Sequence, residues 1–135
     1  MSFGSPGADD GQLQDPSGLA VRNETVVVAD SGNARIQLFD VEGTFLEAMP
    51  VSEWEGLAAP QADVAIDDGG TVWASSPATN AVIVYRSDGT VARAIAPEGD
   101  EQLDRPSGLA LRPGGFLFVA NAAGNRVSLL GSINP

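Results

Sequence analysis

The stretch VVVADSGNARIQLFD, residues 26–40, decides the fold. A β-branched run enters a polar corner, ADSGNAR, and leaves it through IQLFD. Val, Ile, Leu and Phe suit a pleated, half-buried strand, whereas Asp, Ser, Gly and Asn suit a turn. The phrase therefore predicts two antiparallel strands joined by a corner. FLFVANAAGNRVSLL, residues 116–130, writes the same phrase again, and a blurred copy lies between the two.

Three prolines set the register of a repeat: Pro16, Pro60 and Pro106, spaced 44 and 46 residues apart. The first opens PSGLAV, the second PQADVAI and the third PSGLAL. A period of about 40–50 residues signals a repeat architecture. Within repeat one the pattern predicts strands GLAV, TVVVA, RIQLF and TFLEAM, separated by the turns RNE, DSGN and DVEG. The later turns DDGG, RSDG and RPGG supply the Gly and Asp that positive φ and side-chain-capped turns require. No helical 3.6 period survives between the Gly and Pro punctuation. Four short antiparallel strands per repeat make a propeller blade, so the fold class is all-β.

ADSGNARIQLFD, preceded by PSGLAV and followed by EGTFLEAM, resembles the NHL repeat. The resemblance is sharp in repeats one and three. It is weak in repeat two, where PQAD replaces PSGL and SSPATNA replaces DSGNAR. It implies a β-propeller, most often of six blades. It does not imply one activity: the family spans protein binding, RNA binding, and lyase or lactonase chemistry. On this reading the chain is a single domain, 1–135, with blades at about 16–59, 60–105 and 106–135. Three blades cannot close a ring, so a homodimer of six blades is expected. Repeat three has only GSINP after RVSLL, and residues 1–7 are read as the outer strand that completes it in the other subunit.

Composition narrows the chemistry. The 135 residues hold no cysteine and no histidine, which removes disulfides, thiolate nucleophiles and the commonest general base and transition-metal ligand. The zinc chemistry of the amidating lyases that the resemblance brings in has no ligand here. The 18 acids face 7 bases, all arginine, for a net charge of -11. Such a surface repels phosphate backbones and anionic membranes. No apolar run reaches the roughly 18 residues of a membrane span, and MSFGSPGADDG does not read as a signal peptide. A soluble protein is expected, with its compartment open.

The corner residues Asp30, Asn33 and Arg35, with Asn125 and Arg126 in repeat three, read as structural. Asp30 and Asn33 are expected to bond the corner's own backbone, as Asx residues do. Each arginine is expected to reach a neighbouring carbonyl or carboxylate. Trp73, aligned with Val28 and Val119 inside a second strand, is expected in the core. Trp54 either packs over the joint between two blades or, if exposed, anchors a ligand.

The connections into each blade, residues 8–15, 50–59 and 97–105, hold nine of the 18 acids against one base, Arg105. The ligand-face candidates among them are Asp9, Asp10, Trp54, Glu55, Asp100, Glu101 and Asp104. A cationic ligand or a basic protein or peptide fits that charge; plain solvated loops fit it as well. No acid–base pair, nucleophile set, phosphate loop or DxDxDG calcium loop is present, so no catalytic or metal residue is assigned. Calcium held by oxygen ligands is the one cofactor left open. The leading expectation is a non-enzymatic, self-assembling scaffold that binds protein. The alternatives are a Ca²⁺-assisted hydrolase or lyase of the lactonase type and an inactive piece of a larger propeller. RNA binding conflicts with the charge.

Overall fold

A computed structural model describes residues 1–57 and 61–135. Pro60, one of the three register prolines, lies outside the described residues. A short parallel pair opens the chain, β1 (Ser5–Pro6) on β2 (Gln12–Leu13). Blade 1 follows as an antiparallel sheet of β3 (Pro16–Arg22), β4 (Thr25–Asp30), β5 (Arg35–Asp40) and β6 (Phe45–Pro50). Blade 2 is β7 (Val64–Ile66), β8 (Val72–Ser76), β9 (Ala81–Tyr85) and β10 (Val91–Ile95). Blade 3 has three strands, β11 (Pro106–Arg112), β12 (Phe116–Asn121) and β13 (Arg126–Gly131). Among the described residues no helix is long and apolar enough to cross a membrane.

Each turn has a local cause. The RNE turn is a two-residue link, with Asn23 and Glu24 both at positive φ, which matches the strand twist. In DDGG the Asp67 carboxylate accepts from the Gly69 and Thr71 amides, and Gly70 takes φ +85°. Asp40 caps its turn in the same way through Glu42 and Thr44.

The core lies between blades. One cluster joins Val27, Ala29 and Ile36 of blade 1 to Val64, Ile66, Ala74 and Ile83 of blade 2. The other joins Ala65, Trp73, Val82 and Val84 of blade 2 to Leu117, Val119 and Leu130 of blade 3. Alternate residues of each blade strand thus point to opposite flanks of the blade, as a pleat of period two requires.

Counting back from the corner corrects one alignment. Asp30, Ser76 and Asn121 each close their strand by pairing with the first residue after the corner. Trp73 is therefore equivalent to Val27 and Phe118, one place from Val28 and Val119. The blade-2 connection carries one residue more than PSGL, and a shift of one residue exchanges faces. Trp73 is buried, with its Nε1 donating to the Ile133 carbonyl at 3.0 Å.

Candidate functional site

The corner of blade 1 is wired to the incoming chain. Asp30 is fully buried, and its carboxylate accepts from the Gln14 amide (2.7 Å), Asn33 Nδ2 (3.0 Å), Arg35 Nε (2.7 Å) and Gln37 Nε2 (3.0 Å). Asn33 also donates to the Gly7 carbonyl. The Arg35 guanidinium donates to the carbonyls of Ala8, Asp9 and Gln12. Asp30 and Asn33 thus bond each other and residues 7–14, in place of the corner's own backbone. The reason is geometric. The Ser31–Asn33 turn closes its own backbone through the Ala34 amide, which leaves the side chains free to hold the connection.

Blade 3 repeats this with weaker chemistry. Asn121 replaces the buried carboxylate and accepts from the Asp104 amide at 3.0 Å. Arg126 donates to the carbonyls of Asp100 and Gln102. Asn125 stands opposite Ala34 and not Asn33: both have φ +50°, and Asn80 of blade 2 is alike at +53°. Asn80 uses its side chain as well, because its Oδ1 accepts the Arg105 amide, the first residue into blade 3, at 2.8 Å.

These bonds bring corners and connections to one end of the molecule. Asp9, Asp10, Glu55, Asp100 and Glu101 are exposed there and Asp104 is half-buried. Among the described residues no three acidic side chains converge into a metal-ligating group. Trp54 is apart from the others: it is buried at the joint of blades 1 and 2, and its Nε1 donates to the Ser75 carbonyl at 3.0 Å.

Two features were not singled out in the sequence. Asp63 immediately precedes β7, and its carboxylate accepts the Leu109 amide of blade 3 at 2.9 Å. Burial pushes its pKa above the usual aspartate value, and the Leu109 amide offsets part of that. The second is an open cleft of about 380 Å³ between the hairpin turns of blades 2 and 3, bordered by Arg22, Asp67, Asp68, Trp73, Arg112 and Asn134. Its cations are already matched: Arg22 pairs with Asp68 at 2.6 Å, and Arg112 lies over the Phe116 ring. Three turns from different repeats build that cleft, so no local motif announces it.

The flanks of the outer blades are the third arrangement. Val27, Ile36 and Leu38 of blade 1 face blade 2, and Trp73, Val82 and Val84 of blade 2 face blade 3. Their equivalents in blade 3 are Phe118, Val127 and Leu129, which are 39, 67 and 49% exposed. At the other end Leu19 and Val21 of blade 1 are 66 and 56% exposed, while their equivalents Leu109 and Leu111 pack against blade 2.

With this geometry in hand, the likenesses fall into two kinds. The NHL repeat matches residues 13–39, the connection, corner and first three strands of blade 1. The B-box type zinc finger protein ncl-1 of Caenorhabditis elegans is 52% identical over 44 residues, 32% of this chain and 5% of its own length. The brain tumor protein of Drosophila melanogaster is 50% identical over 44 residues, 32% of this chain and 4% of its own. Among solved structures, virginiamycin B lyase from Staphylococcus aureus superposes with TM-score 0.65 at 20% identity, covering 90% of this chain and 40% of the lyase. A gluconolactonase from Xanthomonas campestris superposes with TM-score 0.58 at 24% identity, covering 82% of this chain and 36% of the enzyme. Residues 13–39 thus match the NHL repeat and the fold is that of a β-propeller; the chain spans 40 and 36% of the two propellers it superposes on, and 5 and 4% of the two relatives.

Proposed function

We propose that this NHL-repeat chain is a non-enzymatic β-propeller scaffold that assembles through its open blade flanks and offers its acidic connection face to a basic protein segment. The flank of blade 3 carries this reading. Phe118, Val127 and Leu129 are apolar at positions that the other two blades bury, and isolated sheet faces of this kind mark interaction surfaces. The exposed carboxylates of Asp9, Asp10, Asp100 and Glu101 favour cations and repel nucleic acid.

Sedimentation velocity tests the assembly, with a mass above that of one chain as the expected outcome. Titration with a basic peptide and, in parallel, an unstructured RNA tests the face. Peptide binding that weakens with salt and no RNA binding at physiological salt are expected. A saturable rise in melting temperature on adding calcium would instead favour metal-assisted chemistry of the lactonase type.

A further inference from the structure

We infer that the open flank of blade 3 receives the leading flank of blade 1 from a second copy of this chain, so that two copies close one ring. The inference rests on the assembly reading above and names its partner and its register.

The repeat itself sets the register. A following flank packs against a leading flank at both internal junctions, blade 1 on 2 and blade 2 on 3. Two faces lack a neighbouring blade, one of each kind; the chain's own first residues cover the outer strands of the blade 1 flank, with Phe3 on Phe39 at 5.1 Å, and leave Leu19 and Val21 of β3 bare. Phe118 stands where Trp73 packs toward blade 3, and Leu19 and Val21 stand where Leu109 and Leu111 receive it. At the internal junction β8 lies against β11. In the dimer β12 is therefore to lie against β3 of the second copy, twice over, once on each side of a two-fold axis.

An unmade hydrogen bond points to the same pairing. At the junction of blades 2 and 3, Asn80 of the corner accepts the amide of Arg105, which itself sits at φ +52°. The equivalents are Asn125 and Asp15. They share those backbone conformations, with φ +50° and +47°. Both are exposed, and neither the Asn125 amide group nor the Asp15 N–H has a hydrogen-bond partner among the described residues. Docking blade 1 of a second copy on blade 3 brings these two groups together as donor and acceptor. Pairing like flanks brings Asn125 to Asn125 and leaves Asp15 unmatched.

The chain has no cysteine, so introduced thiols report the register cleanly. Two single variants, Ala120→Cys in β12 and Leu19→Cys in β3, are prepared and treated with a short bismaleimide, alone and mixed. A dimer-sized product from the mixture and none from either variant alone is expected. In unlabelled protein, Asn125→Ala is expected to raise the dimer dissociation constant about tenfold with the fold intact by circular dichroism. A protein that sediments as a single chain at all concentrations overturns this inference and the assembly reading together. A dimer that crosslinks through either variant alone, or not in the mixture, overturns the inference and leaves assembly standing.

Discussion

Asp30 and Arg35 form an ion pair of 2.7 Å in which the carboxylate is wholly buried and the guanidinium nearly so. A buried carboxylate survives only with its lone pairs occupied, and here four donors occupy them. The pair does more than close a corner. Through three carbonyls Arg35 fastens residues 8–12 across the flank of blade 1.

Removing that arginine should be costly. Arg35→Ala leaves a buried charge short of its counterion and frees three carbonyls, a loss of about 3 kcal/mol or more. Arg22→Ala breaks an exposed pair with Asp68 and should cost less than about 1 kcal/mol. Chemical denaturation of the two variants measures the contrast. Equal midpoints would show that the corner is not held as described.

Asp63→Asn should be neutral or slightly stabilising at pH 7, because the amide still accepts from the Leu109 N–H and carries no charge to desolvate. The folded-state pKa is raised, so the contribution of Asp63 is fully present below its unfolded value and is lost as pH rises through the folded one. The wild type should therefore lose stability relative to Asp63→Asn on going from acid toward neutral pH. Parallel melting curves across that range test the sign.

Two glycines at the same repeat position should differ. A Cβ on Gly18 would stand 2.2 Å from Asp63 Oδ1 and 2.8 Å from the Asp63 Cα, whereas on Gly108 it would meet only the Ala120 Cβ, at 3.3 Å. Gly18→Ala should destabilise by about 1–3 kcal/mol through overpacking, and Gly108→Ala by clearly less. Thermal midpoints of the two variants decide.

Trp54→Ala should cost about 3–5 kcal/mol, since it empties the joint between blades 1 and 2. Trp54→Phe keeps most of the apolar volume and gives up the bond to the Ser75 carbonyl, about 1 kcal/mol plus a small void. If Trp54→Ala left stability unchanged while abolishing peptide binding, the side chain would be a ligand anchor and not a joint.

The sequence by itself determined the blades. Strand composition, the Gly- and Asp-bearing turns and the recurring ADSGNAR corner are local signals, each written in a few consecutive residues. They gave four strands in repeats one and two, three in repeat three, and a buried Trp73. What tertiary structure alone decided is anything that depends on which face of a strand a neighbour covers. One extra residue before β7 moved Trp73 from the register of Val28 to that of Val27, and a pleat of period two turns such a slip into a change of face. Asn33 and Asn125 look alike beside their arginines, yet one holds the connection with its side chain and the other supplies a left-handed backbone. Leu19 and Leu109 sit in nearly the same words, PSGLAV and PSGLAL. Their difference in exposure comes wholly from the blade that covers one and not the other.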